Sequence, residues 1–153
     1  VPVRVQVEDF DAGAEIEALR GDNPAVGAVA SFIGLVRDVS EGERVTEMTL
    51  EHYPGMTERA LEQIVAQAKS RWDIIDVLVV HRIGRLRPLD QIVLVVVTGA
   101  HRDEAFAACE FVMDYLKTQA PFWKKEQTPA GARWVEARAA DDRAADRWSE
   151  PKR

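Results

Sequence analysis

A chain of 153 residues with 46% hydrophobic and 30% charged side chains fits one globular domain with a sizeable core. Its formal net charge of -6 argues against nucleic-acid binding through a broad basic surface, yet leaves room for a small anion held by a few local cations. The one cysteine, Cys109, excludes an internal disulfide framework and a thiolate metal cage. No apolar run reaches the ~18–20 residues of a bilayer span, so no membrane partner is expected. No leader pattern opens the chain, and the expected compartment is the cytoplasm.

Residues 1–7 alternate Val with Pro, Arg and Gln, which predicts a half-buried first strand. Asp11 is placed to cap a helix over 12–20 with Ile16 and Leu19 inward, and Gly21-Asp22-Asn23-Pro24 turns the chain. Residues 26–36 are rich in Val, Ile and Phe and predict a buried strand. Its small residues Gly27, Ala28, Ala30, Ser31 and Gly34 permit close approach by backbone or ligand. That strand delivers Arg37 at its polar end.

Residues 45–53 return as a strand with Val45, Met48 and Leu50 on its apolar side, and Pro54-Gly55 turns the chain. Thr57 is expected to cap a helix over 58–72, packed through Ala60, Leu61, Ile64, Val65 and Ala68. Residues 74–80 fit a central strand, His81-Arg82 follows, and a turn over 85–90 contains Pro88. A Val-rich strand over 91–98 leads through Gly99-Ala100 into residues 101–126, the stretch that organises the rest.

There Ala105, Phe106, Cys109, Val112, Met113 and Leu116 recur at helical spacing and predict one buried stripe. Arg102 and Lys117 sit fifteen residues apart on this helix, roughly 22 Å at ~1.5 Å per residue. One small pocket in one subunit does not easily hold both, so either a two-fold dimer brings them to one shared anion, the economical solution, or each is a separate solvated end charge. Pro121 breaks the helix, Phe122-Trp123 is expected to wall an apolar cleft, and Lys124 reaches into it. A short strand over 133–137 follows, and residues 139–153 read as a surface extension. The order β-α-β-β-α-β-β-α plus this strand favours a two-layer α/β sandwich over a doubly wound sheet.

His52, His81 and His101 lie on different elements without metal-ligand spacing, and no phosphate loop or nucleophile elbow is present. Several residues keep two readings. Arg37 either grips a phosphate or carboxylate, or pairs with Asp38 or Glu41. Lys117 either serves an anionic ligand or pairs with Asp114. Cys109 sits on the apolar stripe and reads as a core thiol.

The segments Phe32-Ile33-Gly34-Leu35-Val36-Arg37, Leu50-Glu51-His52-Tyr53-Pro54-Gly55-Met56, His81-Arg82-Ile83-Gly84 and His101-Arg102 continue into Met113-Asp114-Tyr115-Leu116-Lys117. Pro121-Phe122-Trp123-Lys124-Lys125-Glu126 and Trp134-Val135-Glu136-Ala137-Arg138 complete the series. In number, order and spacing they resemble the large, catalytic subunit of molybdopterin synthase over residues 26–138. The resemblance implies an α/β hammerhead with an additional antiparallel β subdomain, occupying 1–138, with 139–153 as a C-terminal extension.

It further implies a sulfurtransferase of molybdenum cofactor biosynthesis that converts cyclic pyranopterin monophosphate to molybdopterin. The two dithiolene sulfurs would come from the thiocarboxylated C-terminal glycine of a ubiquitin-like small subunit. A large-subunit homodimer would stand at the centre of a heterotetramer. By the same resemblance Lys117 and Lys124 are the catalytic cations. Substrate contacts extend to Arg37, His101, Arg102, Lys125, Glu126 and Arg138, with His101, Arg102 and Arg138 supplied by the other large subunit. Phe32, Leu35, Val36 and Met113 line the pocket, and no metal or cofactor is implied. A non-catalytic scaffold for a small protein's tail, and an acyl transferase that moves no sulfur, remain as alternatives.

Overall fold

The computed structural model describes residues 2–135 and 139–149, with the backbone alone for 139–141. Its main sheet is made by the valine-rich segments. It has the order β1 (Val3–Gln6), β6 (Ile74–Arg82), β8 (Gln91–Gly99) and β2 (Ala28–Leu35). β1 pairs parallel with β6, and β8 runs antiparallel to both β6 and β2. On one face Val93, Val95 and Val97 of β8 meet α2 (Met56–Arg71) and α3 (Arg102–Gln119). On the other, Leu94 and Val96 pack against α1 (Ala12–Arg20) through Ile16 and Leu19. β6 and β8 are covered on both faces, which is why they read as unbroken apolar runs. Asp11 caps α1 as expected, accepting from the Ala14 amide at 3.1 Å.

A second sheet runs β10 (Gly131–Val135), β9 (Phe122–Thr128), β5 (Glu47–His52) and β7 (Gly84–Leu86). Between β2 and β5 lies a two-strand hairpin, β3 (Val39–Ser40) with β4 (Glu43–Arg44). This second sheet closes its own small core of Val36, Met48, Leu50 and Leu86. The whole is the α/β layer with an added antiparallel subdomain that the sequence leads one to expect. Among the described residues no helix is long and apolar enough to cross a membrane.

Several local expectations are corrected. Residues 26–36 do not make a buried strand: β2 is a sheet edge, and Val29, Phe32, Ile33 and Leu35 are exposed. Thr57 does not cap α2, which starts two residues earlier than expected, at Met56 behind Gly55; Glu58 accepts from the Gly55 amide at 3.0 Å. Thr57 is instead fully buried. Its hydroxyl accepts from the Tyr53 amide and donates to the Pro121 carbonyl, both at 2.9 Å. Phe106 leaves the stripe of α3 and is 66% exposed, because the buried face is centred on Ala108, Phe111, Val112 and Tyr115.

The strands β7 and β9 were hidden in a Pro-containing turn and a charged run. Their pairing partner is β5, many residues distant, so no local pattern announces them. Within residues 139–153, read as a surface extension, the structure places α4 (Ala139–Asp146) and docks it on α3. Trp148 stacks edge-on against Trp72 and Phe111, with ring centroids 5.4 and 5.7 Å away, and donates to Asp114 through its indole nitrogen at 2.6 Å. Asp114 also takes Arg147 at 2.7 Å, so it ties the tail to α3.

Candidate active site at the open end of the main sheet

Strand register places the site. Gly34 of β2, Val93 of β8 and His81 of β6 lie side by side across the sheet, near the end that delivers Arg37. A Cβ on Gly34 would come within 2.9 Å of the Val93 side chain and 3.4 Å of the Phe32 ring. Glycine at 34 therefore leaves the space that Phe32 occupies. β8 ends at Gly99, so α3 begins at the far end of the sheet and runs back. Its C-terminal turn carries Lys117 over the His81 end.

His81 is buried, and its ring stacks on Phe122 with centroids 3.8 Å apart and planes 18° apart. Its Nδ1 lies 2.7 Å from the Arg82 carbonyl, which fixes the proton on that nitrogen in the neutral ring. Burial pushes the His81 pKa down to about 4, and the positive charge of Lys117 and the nearby His52 push it the same way. Unfolded histidine titrates near ~6.5. The unfolded chain thus binds the extra proton first, and the stability tied to the neutral ring is complete above pH ~6.5 and lost as pH falls toward 4. Between pH 7 and 4.5 the protein is expected to lose roughly 2–3 kcal/mol more than a His81→Phe variant, measured by urea unfolding. Equal losses would contradict this account of His81.

Alternation along β9 sorts the aromatic-basic run. Phe122, Lys124 and Glu126 share the face of His52, Leu50 and Met48, their ladder partners on β5. Trp123 and Lys125 point the other way. Trp123 is 47% exposed and walls no inner cleft, correcting the expectation for the Phe122-Trp123 pair. Lys125 lies over the Trp134 ring at 5.7 Å. Glu126 shares the face of Lys124 but is buried, and it accepts from Arg133, which also donates to the Ser40 carbonyl at 2.8 Å. Glu126 thereby braces the hairpin that follows Arg37.

Of the other expected site residues, Arg37 is exposed and makes no side-chain hydrogen bond or ion pair among the described residues. The pairing with Asp38 or Glu41 is not made. Leu35 is open to solvent beside it. Val36 and Met113, expected as pocket lining, are core residues, Val36 in the small core of the second sheet and Met113 on the buried face of α3. His101 and Arg102 are exposed at the opposite end of α3, where Arg102 approaches Asp103 at 3.9 Å. Arg138 lies outside the described residues. Cys109 is a core thiol whose pKa burial raises to about 11, which removes it as a nucleophile near neutrality.

One chain therefore gathers Lys117, Lys124, Arg37, Phe32 and the His81–Phe122 stack at one end, and sets His101 and Arg102 at the other. This defines a class: an α/β protein whose main sheet carries a cluster of cationic and aromatic side chains at one end of its open edge. Residues 5–119 match the MoaE protein family. The chain is 68% identical over 146 residues to the molybdopterin synthase catalytic subunit of Ralstonia nicotianae, covering 95% of this chain and 83% of the relative. To that of Pseudomonas aeruginosa it is 55% identical over 148 residues, 97% and 99% of the two chains. A solved molybdopterin biosynthesis MoaE protein from Burkholderia ambifaria superposes with a TM-score of 0.84 at 60% identity, over 98% and 99% of the chains.

The chain belongs to the MoaE family, the catalytic subunits of molybdopterin synthase. It is an enzyme subunit of molybdenum cofactor biosynthesis.

Proposed function

We propose that the chain works in the cytoplasm, converting cyclic pyranopterin monophosphate to molybdopterin with sulfur from the thiocarboxylated tail of a ubiquitin-like small subunit. Each sulfur forms a bond to a pterin side-chain carbon as that carbon's bond to oxygen breaks. The oxygen leaves as water at one carbon and with the cyclic phosphate, opened to a monoester, at the other. The sulfur's bond to the donor's acyl carbon breaks as water takes its place, leaving the partner's C-terminus a carboxylate. Negative charge develops at that acyl oxygen, and a preplaced ammonium stabilises it better than water, which must reorient. Lys117 takes this role. Lys124, on the inner face of β9, orients the tail and assists proton transfer. Arg37, with its guanidinium unengaged, takes the phosphate.

Topology supports the remaining contacts. β2 and β8 pair antiparallel, with Ala28 opposite Gly99 and Leu35 opposite Gln91. Ala28 therefore marks the His101-Arg102 end and Leu35 the Arg37-Lys117 end, about 23 Å apart along the strand. The outer edge of β2 carries exposed Val29, Phe32, Ile33 and Leu35, and Phe106 is exposed on α3. If two β2 edges pair antiparallel about a two-fold axis, the mate's Ala28 end lies against this chain's Leu35. That brings the mate's His101 and Arg102 to Arg37 and Lys117. The homodimer at the centre of a heterotetramer follows from the same geometry.

The observation that carries this reading is the split placement of cations along β2 and α3. The deciding assay supplies the purified small-subunit thiocarboxylate and the cyclic pterin, and follows dithiolene formation. Molybdopterin is the expected product. Tail binding without turnover would leave a scaffold, and an acylated product without sulfur would leave an acyl transferase.

A further inference from the structure

His81, Phe122 and His52 meet at the joint between the two sheets. His52 and Phe122 are ladder partners on β5 and β9, and the His81 ring from β6 lies flat on Phe122. Phe122 follows Lys117 by five residues and precedes Lys124 by two, so the turn from α3 into β9 is fixed at the residue His81 covers. Thr57 holds the same turn from α2, through its bond to the Pro121 carbonyl.

We propose that His81 is a positioning residue for the Lys117–Lys124 pair: its uncharged ring clamps Phe122, and through it the turn that sets the spacing and facing of the two amines. The inference rests on the reading of Lys117 and Lys124 as the reacting cations. The residue type follows from two demands at this point. The ring must be flat to stack on Phe122. It must also remain uncharged beside Lys117, because a further cation there would oppose the ammonium and compete for the anionic ligand. A donor to the Arg82 carbonyl, which the Nδ1 proton supplies at 2.7 Å, serves the stability of the fold and not the clamp on Phe122.

Lys117 of α3 and His52 of β5 are the charged or titratable groups that act on the ring, with Glu58 of α2 3.9 Å from His52. Arg82, on the same strand, turns its guanidinium away to the Val7 and Gln91 carbonyls. Burial and Lys117 together keep the ring neutral throughout the working pH range.

Two variants separate the parts. His81→Phe keeps a flat ring over Phe122 and loses the donor; His81→Asn keeps a donor and loses the stack. In the complete complex with the small-subunit thiocarboxylate, His81→Phe is expected to hold kcat within about threefold. His81→Asn is expected to lower kcat by more than about tenfold with KM for the pterin changed less than about twofold, since misplacing a reacting group by an ångström costs rate and not ground-state binding. The pH profiles of the parent protein and His81→Phe should coincide from about pH 5.5 to 8.5.

Full kcat in a folded His81→Asn protein overturns the inference. So does a tenfold loss in His81→Phe, or an acid limb present only in the parent protein; these two readings stand even if the Asn variant does not fold. Lys117→Ala and Lys124→Ala are measured alongside. If both are fully active, the parent reading fails; if both are inactive while His81→Asn is fully active, only the role of His81 fails.

Discussion

Lys117→Ala is expected to lower dithiolene formation by about 10²–10³-fold at saturating partner and pterin, with small-subunit affinity little changed. The size follows from where the residue stands. Leu116 beside it is 3% exposed, Met113 one turn back is 8% exposed, and together they seat the last turn of α3 in the main core. The turn that carries Lys117 is thereby fixed by the core, and its exposed side chain extends from that turn beside the buried, neutral His81 ring. A role in the chemical step is distinct from a role in binding the partner or the pterin.

The distinction is testable within one experiment. Single-turnover measurement with preloaded thiocarboxylate isolates the chemical step from partner exchange. Lys117→Arg retains charge but exchanges a compact ammonium for a broad planar fork, and is expected to recover only part of the rate. Activity of Lys117→Ala within a few-fold of the parent protein would remove Lys117 from the chemistry.

Mixing two inactive variants is expected to restore activity. If Arg102 serves the mate's site while Lys117 serves its own, an Arg102→Ala chain and a Lys117→Ala chain combine to make one complete site and one doubly defective site. Random reassociation puts half of the chains' pairs in this mixed state, so about a quarter of the parent activity should appear where each variant alone shows almost none. The effect is a rise from background and is read directly as product formed against mixing ratio.

The same experiment distinguishes a site built within one chain. In that case both residues would have to be intact together, and no mixture of the two variants would recover. The prediction draws on the antiparallel β2–β8 register and on the length of α3, which place Arg37 and Lys117 at one end and Arg102 at the other. A variant that charges the β2 edge, Ile33→Lys, should block both dimer formation and complementation, because it sets a charge into an apolar strand edge that must pair with its mate.

Much of the fold was legible in residue order. Asp11 as a cap, the valine runs of β6 and β8, and the long α3 ending before Pro121 are local matters of propensity and periodicity, and the structure has them where expected. Arg37, Lys117 and Lys124 stood out as candidates for the chemistry from type, neighbours and family resemblance. The Arg102–Lys117 separation was readable from helical rise alone.

What failed were properties that belong to pairs of distant segments. Whether residues 26–36 are buried depends on what stands beside them, and nothing in their apolar composition says that β2 is an edge. Phe106 is as apolar as its neighbours on α3, yet sits just off the arc that the sheet covers. The facing of Trp123 and Lys125 became defined only when β9 paired with β5. Trp148 had no local partner in sequence; Trp72, Phe111 and Asp114 supply one from two other helices.

By itself the sequence determined the inventory of this protein: which residues carry charge, which segments are helix or central strand, and how far apart two cations on one helix must lie. Those are consequences of side-chain chemistry and of the fixed rise of a helix, and they need no neighbour. Only the tertiary structure decided that His81 lies under Phe122 beside Lys117, that Glu126 braces the hairpin after Arg37, and that one sheet edge is left open. Each of these is a contact between chain segments brought together by the packing of two sheets, and packing is a property of surfaces that meet in space, not of residues that adjoin in order.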